Sequence, residues 1–330
     1  MVWFKLVRAL LFCFPAELAH HLVLKCLRFY PDQRKTGFAT QPPFSVMGLE
    51  FNSRLGLAAG FDKNGEYIDA WFKLGFGFIE VGTVTPKPQK GNPKPRLFRL
   101  VKHQAIINRM GFNNKGVDYL VAKLRSRRSS GIVGVNIGKN KQTPLYLAYQ
   151  DYVCCLRKVF NYADYIVINV SSPNTPRLRD LLQESQLNTL LSKIMAAYDD
   201  LAARHHKRPP ILLKVTVDLA PEELHVISVL VKQYRLSGVI SSNTTVDKSA
   251  VEGDRNASQT GGLSGLPLQA AAQEQLQLLR SLLGPEFCLI AVGGIMSQQD
   301  ARDRIESGAD LVQVYTGLVY AGPALVKVKL

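Results

Sequence analysis

Two tryptophans, five cysteines and 26 acidic residues against 41 Lys and Arg are what this 330-residue chain has little of. Cys13, Cys26, Cys154, Cys155 and Cys288 show no disulfide or metal-ligand spacing. That excludes a disulfide framework and a thiolate metal centre, and makes a reducing compartment the simplest setting. No apolar run reaches the roughly 20 residues that span a bilayer, so no crossing helix is expected. Lys5 and Arg8 precede the short run Ala9 to Phe14, but no small-x-small cleavage site follows, which argues against a signal peptide. The shortage of acids leaves a formal charge of +15 and calls for an anionic partner: a phosphate ligand, nucleic acid or anionic lipid. A content of 46% hydrophobic and 20% charged residues describes a globular chain with a sizeable core.

The first thirty residues stand apart. Met1 to Phe14 is dense in Val, Trp, Phe and Leu, and Pro15 to Tyr30 sets Leu18, Leu22, Leu24 and Leu27 among His20, His21, Lys25 and Arg28. Two short amphipathic helices with aromatic and basic residues suit an interfacial membrane anchor; a hairpin packed on the protein's own core is the plainer alternative. Gln33 to Pro43 reads as a linker, dividing the chain into a segment 1–40 and a body 41–330.

In the body, apolar runs alternate with helical patterns. The strand candidates are Leu55–Ala59, Phe78–Val81, Ile132–Ile137, Tyr165–Val170, Ile211–Val217, Gly238–Ser241, Cys288–Val292 and Leu311–Val314. Eight parallel-type strands in this length predict a (β/α)₈ barrel, with a doubly wound sheet as the alternative. Leu187–Arg204, Pro221–Tyr234 and Leu268–Leu283 have the length and patterning of intervening helices. Lys87–Asn113 is longer than an ordinary connection and suits a lid or binding element.

Polar residues end most of these runs, and a barrel would bring them to one rim. The densest group is Asn169-Val170-Ser171-Ser172-Pro173-Asn174-Thr175-Pro176, held rigid by two prolines. Gly293-Gly294 and Thr316-Gly317 fall after the seventh and eighth strands, where barrels commonly bind phosphate, with a following helix N-terminus to help; Gly261 to Gly265 adds a flexible backbone segment. Lys214 lies inside the apolar run Ile211–Val215. A buried ammonium must meet an anion or an electron-rich ligand. A structural ion pair, Schiff-base chemistry and stabilisation of a reduced flavin all remain open.

Several long motifs occur in one order: Ala58-Ala59-Gly60-Phe61-Asp62-Lys63-Asn64-Gly65, Ile79 to Pro86, Pro95 to Arg99, Asn108-Arg109-Met110-Gly111-Phe112-Asn113, Asn136 to Asn140, Asn169 to Pro176, Gln259 to Gly265 and Val292 to Ile295. With them the chain resembles the class 2, quinone-dependent dihydroorotate dehydrogenases over essentially its whole length. The resemblance implies an FMN-containing barrel that oxidises dihydroorotate to orotate in pyrimidine synthesis and passes electrons to membrane quinone. It implies Ser172 as general base, with Thr175 and Phe112 along its proton relay. Lys63, Asn108, Arg109, Met110, Gly111, Phe112, Asn169, Asn174, Asn243 and Thr244 would surround the substrate. Ala59, Gly60, Phe61, Asp62, Lys63, Thr83, Asn136, Asn169, Lys214, Ser242, Gly265, Gly294, Tyr315 and Thr316 would hold FMN. His20, Arg99 and Tyr315 would lie near the quinone head group.

No metal is expected. The family pattern has a threonine where Ser242 stands and commonly a glycine where Arg177 stands. The resemblance further implies a monomer with no nucleic-acid partner, attached peripherally to an anionic lipid surface, with the cytoplasmic face of a bacterial inner membrane as its location. The closest rival is an FMN-dependent dihydrouridine synthase acting on tRNA, for which the basic charge would suit but which needs a loop cysteine at the active face. A phosphate-binding barrel isomerase and a non-enzymatic lipid-binding module are more distant rivals.

Overall fold

The computed structural model describes residues 2–32, 43–327 and 330, the first two as backbone only. All of the expected linker except Pro43 lies outside the described residues. Helices α1 (Val2–Phe12) and α2 (Ala16–Leu27) come first, then a hairpin, β1 (Phe44–Val46) with β2 (Leu49–Phe51). Next follow β3 (Leu55–Leu57), α3 (Ile68–Leu74), β4 (Phe78–Val84), β5 (Leu97–Leu100), β6 (Ala105–Asn108), α4 (Val117–Ser126) and β7 (Ile132–Ile137). The middle of the chain gives α5 (Ala148–Val159), β8 (Tyr165–Asn169), α6 (Glu184–His205), β9 (Ile211–Lys214), α7 (Pro221–Gln233) and β10 (Gly238–Ser241). Last come β11 (Gly262–Gly265), α8 (Gln269–Leu283), β12 (Cys288–Val292), α9 (Gln298–Glu306), β13 (Leu311–Val314) and α10 (Thr316–Ala321).

Strands β3, β4, β7, β8, β9, β10, β12 and β13 form a closed barrel in which β13 pairs with β3. Every observed pairing among them is parallel. Closure excludes the doubly wound alternative. All eight expected strands are present, because strands buried on both faces read as unbroken apolar runs.

Two pieces of the fold lie outside that reading. The Lys87–Asn113 insertion is not a bare loop: it carries β5 and β6, which join β11 in an antiparallel sheet of three. The glycine-rich segment read as flexible backbone is thus partly a strand, with Leu263 paired to Ile107. The β1–β2 hairpin packs Phe44, Val46, Met47 and Leu49 against an interior cluster of Phe51, Phe78, Tyr165, Leu212 and Ile290. This apolar plug fills one end of the barrel. Glycines opposite the large rings make the space: a Cβ on Gly56 would stand 2.4 Å from the Phe78 ring, and one on Gly134 would stand 2.0 Å from that of Tyr165.

Phe78 is fully buried, between Phe51 and Tyr165, in edge-to-face contact with both. Phe78→Ala should lower the stability by about 3–5 kcal/mol, read by chemical denaturation; a loss below about 1 kcal/mol would contradict this account of the plug.

Candidate active site

The carboxyl ends of the barrel strands enclose a cavity of ≈ 1010 Å³. Ala59, Gly60 and Lys63 enter it from the segment after β3, Thr83 from β4, and Asn169, Ser172 and Asn174 from the end of β8 and beyond. Lys214 ends β9, Asn243 and Thr244 follow β10, Gly293 and Gly294 follow β12, and Tyr315 and Thr316 follow β13. The β5–β6–β11 sheet covers the rim: Asn108, Met110, Gly111, Phe112 and Gly265 reach the cavity from it and the chain beyond β6.

Amides tie the side chains together. Asn169 donates from Nδ2 to Thr83 Oγ1 (2.8 Å) and Asn136 Oδ1 (3.1 Å), and its own Oδ1 accepts from the Ser171 amide and hydroxyl. Asn174 donates to Asn108 Oδ1 at 3.2 Å, and Asn243 donates to Ser171 Oγ at 2.8 Å. The Ser172 hydroxyl accepts from the Asn174 amide at 3.3 Å and is 7% exposed. Arg179 braces this loop, donating to the carbonyls of Ser171 (3.0 Å) and Thr244 (2.9 Å) while paired with Asp218 at 2.7 Å. Burial, with the charge of Arg96 behind it, brings the Lys63 ammonium down to about 8. Its Nζ donates to Gly60 O at 2.6 Å.

Below lies a polar floor. Glu80, on β4, is fully buried; its Oε1 accepts from Asn136 Nδ2 at 2.8 Å and its Oε2 from Gln313 Nε2 at 2.6 Å. The Tyr165 hydroxyl donates to the same carboxylate at 3.4 Å, and Lys214 Nζ stands 4.0 Å from Oε1. Among the described residues, Gln313 Oε1 and Thr244 Oγ1 are buried without a hydrogen-bond partner, and both residues line the cavity. Gly294 has φ +71°, and a Cβ there would stand 2.4 Å from Gln269 Cα, so backbone lines the wall where a side chain has no room. The donor set, the unpaired acceptors and the glycine wall suit a polar, phosphate-bearing ligand. A capping box of Ser297 and Asp300 closes the α9 amino end, whereas α10 begins at Thr316 in the cavity wall with no side-chain cap.

A second, apolar cavity of ≈ 1350 Å³ lies between α1, α2 and the barrel. Phe4, Leu11, Val23 and Leu318 line it with His20, Arg99 and Tyr315, and Tyr315 faces both cavities. His20 stacks on Phe61 at 5.0 Å, and Phe61 on Tyr315 at 4.8 Å. Burial, then the charge of Lys63, lowers the His20 imidazole to about 3, so it is neutral at physiological pH. Arg99 donates to the carbonyls of Leu11, Phe12 and Phe14 at the α1 C-terminus, where a cation is favoured. A bidentate pair, Arg96 with Glu17 at 2.7 and 3.2 Å, fastens α2. The helices therefore do pack on the protein, yet Leu6, Leu10, Phe14, Leu18 and Leu22 stay exposed.

The family model for dihydroorotate dehydrogenase matches residues 43–329. The chain belongs to the dihydroorotate dehydrogenase family. It is 49% identical to a "Dihydroorotate dehydrogenase (quinone)" of Coxiella burnetii over 98% of this chain and 94% of that one. A relative of the same name from Flavobacterium lutescens is 50% identical with the same coverage. Among solved structures, the dehydrogenase of Eimeria tenella in complex with ferulenol superposes with a TM-score of 0.88 at 38% identity, covering 94% of this chain and 88% of that chain. The chain is an oxidoreductase, and the tRNA reading falls with this result. No cysteine is among the residues lining the rim cavity.

Within this dehydrogenase most of the expected site residues meet at the rim cavity, and several stand back from it. Asn136 and Ser242 are buried behind the lining. Asp62 turns its carboxylate to the amides of Glu66 (2.9 Å) and Tyr67 (2.8 Å), bracing the loop. Phe61 faces the apolar cavity. Arg109 points away, stacked on Phe98 at 4.6 Å and donating to Gln259 Oε1 at 2.9 Å. Thr175 Oγ1 is buried and unpartnered, and Phe112 lines the rim cavity. Glu80 and Gln313 were not among the expected residues, although Glu80 carries the signal that marked Lys214, a charge inside an apolar run.

Burial alone would raise the Glu17 carboxyl, but the hydrogen bonds and charge of Arg96 outweigh it and hold it below its ordinary value. A depressed carboxyl contributes stability above its unfolded pKa that is lost as pH falls through the folded one. Glu17→Ala should therefore cost about 3–5 kcal/mol by leaving Arg96 buried without its partner, and hydrogen exchange in α2 should accelerate. Acidification below pH 4.5 should loosen α2 in the native chain and not further in the variant; equal protection in both would contradict the anchor.

Proposed function

We propose that this chain oxidises dihydroorotate to orotate with FMN held in the rim cavity, Ser172 as the base, and a membrane quinone as the electron acceptor, a step of pyrimidine biosynthesis. The observation that carries the reading is the meeting of Ser172, Lys63 and the asparagines 108, 169, 174 and 243 in one cavity. Bound FMN supplies a two-electron acceptor for the hydride leaving C6 of the substrate. Ser172 takes the C5 proton, and Thr175 and Phe112 lie along the route by which it leaves. A serine hydroxyl is a weak base, so the low-dielectric setting and a relay are needed. Each asparagine amide offers a donor and an acceptor, which suits the alternating edge of a cyclic imide. Lys63 pairs with the substrate carboxylate.

The remaining residues divide by depth. Gly265, Gly294 and Thr316 hold the phosphate-bearing end of FMN, while Ala59, Gly60, Thr83 and Lys214 hold the ring, with Asn136 and Ser242 supporting from behind. In the apolar cavity the neutral His20, Arg99 and Tyr315 receive the quinone head group. The exposed leucines of α1 and α2, flanked by Lys5, Lys25 and Arg28, suit peripheral docking on an anionic lipid surface, at the cytoplasmic face of a bacterial inner membrane. Among the described residues no helix is long and apolar enough to cross a membrane. Both cavities are built within one chain, which supports action as a monomer.

The test is anaerobic mixing of the purified protein with dihydroorotate. A yellow protein should bleach, and Ser172→Ala should slow that bleaching by about 10²–10⁴-fold while still binding orotate; unchanged single-turnover reduction would remove Ser172 from the role. Ser172→Cys should keep part of the activity. Because the Lys63 ammonium loses its proton near pH 8, orotate affinity should hold below that pH and weaken above it. Lys63→Met should bind more weakly below that pH and lose this dependence, so that the two proteins converge above it. Removing residues 1–35 should abolish reduction of long-tailed quinones and spare bleaching by dihydroorotate; normal quinone turnover in the truncated protein would refute the tunnel.

A further inference from the structure

Glu80 has no part in the reaction as described, yet it is a fully buried carboxylate beneath a ligand cavity. Its surroundings are built to hold an acceptor. The Asn136 Oδ1 receives Thr83 Oγ1 (2.5 Å) and Asn169 Nδ2 (3.1 Å), which leaves Asn136 Nδ2 to donate to Glu80. Gln313 Nε2 and the Tyr165 hydroxyl donate from other sides. Three donors from three strands converge on one carboxylate, an arrangement that suits the ionised form.

Lys214 is the charge it faces, at 4.0 Å. The barrel register flanks Lys214 with Asn169 on β8 and Ile240 on β10, neither of them ionisable. Tyr165 on β8 contacts Glu80, and Lys63 and Tyr315 are the other titratable groups of the cavity wall. Glu80 on β4 is the one carboxylate in ion-pair range of Lys214 among the described residues. Burial pulls the Lys214 ammonium below its ordinary value and the Glu80 charge opposes that pull. The separation is too long for a direct hydrogen bond, so the ammonium keeps its donors for the cavity.

We propose that Glu80 is a positioning residue for the oxidation: it keeps Lys214 an ammonium while the flavin is still oxidised, so a cation is already in place when negative charge arrives. The inference rests on FMN as the occupant of the rim cavity. In the balanced step, dihydroorotate gives its C5 proton to Ser172 and its C6 hydride, two electrons and a proton, to the flavin, which gains one negative charge. With Lys214 charged beforehand, no further proton is taken up, and the site does not reorganise during transfer. Without the carboxylate, Lys214 is neutral before reduction and binds a proton as the flavin becomes anionic.

The experiment is the pH dependence of the flavin midpoint potential in the holoenzyme between pH 7.5 and 9. One proton per two electrons is a tenfold change in the equilibrium per pH unit, about 30 mV. Lys63, in the same wall, also titrates near pH 8, so the comparison is made in a Lys63→Met background, which should show that slope. There Glu80→Gln should steepen toward a hundredfold change, about 59 mV, and adding Lys214→Met should return it to the shallow slope, no amine being left in the cavity wall to protonate. A shallow slope in that Glu80→Gln variant would overturn the proposal.

A second measurement needs no change at Glu80. In native protein carrying ¹⁵N-lysine, the side-chain signal missing from Lys214→Met should be that of an ammonium at pH 8; a neutral-amine signal would overturn the proposal. The lysine signal is read with or without flavin, so the two readings fail differently. A colourless protein with an ammonium at Lys214 refutes the cofactor, whereas a yellow protein with a neutral amine refutes the role of Glu80.

Discussion

A carboxylate sealed inside a barrel is the constraint on which the rest of this site depends. Burying Glu80 unaided would be prohibitively costly, so the interior supplies donors from β7, β8 and β13 and a cation from β9. Those same side chains make the floor of the rim cavity. Asn136 connects the floor to Thr83 and Asn169, and Asn169 connects it to Ser171, next to Ser172. The β1–β2 hairpin and the Phe51–Phe78–Tyr165 cluster close the far end with apolar side chains. One barrel thus has a dry, tightly filled half that supplies stability and a polar half that supplies chemistry.

The amino-terminal helices solve a different problem. They keep Leu6, Leu10, Phe14, Leu18 and Leu22 exposed without letting that apolar surface collapse onto the barrel. Directional contacts hold them instead: Arg99 on the α1 carbonyls, Arg8 on the Tyr320 carbonyl at 2.7 Å, and the Glu17–Arg96 pair. These polar anchors leave the volume between helices and barrel open as the apolar cavity. A wall that includes Tyr315 separates it from the rim cavity.

Much of this was legible in the sequence, for physical reasons. Barrel strands buried on both faces read as apolar runs, and the amides and glycines ending them met where parallel topology requires. The β5–β6–β11 sheet was not legible, because β11 pairs with a strand more than 150 residues earlier and its glycines suggest flexibility locally. Arg109 and Asp62 sit inside motifs that line the cavity, but the side chain of each turns to a neighbouring loop; a motif fixes the backbone path and not the direction of every side chain. Lys214 could be singled out as a charge in an apolar run, and Glu80 in Phe78–Val84 offered the same signal. Its partner could be named only once the register placed four strands around one point.

Two separate cavities that share Tyr315 imply two separate ligand sites. The direct measurement is rapid mixing of dihydroorotate-reduced protein with a short-tailed quinone, with and without saturating orotate, following the return of flavin absorbance. Two cavities predict that orotate leaves the rate of reoxidation essentially unchanged. Reoxidation blocked in proportion to orotate occupancy would mean that substrate and quinone share one site, and would contradict the division of the molecule described above.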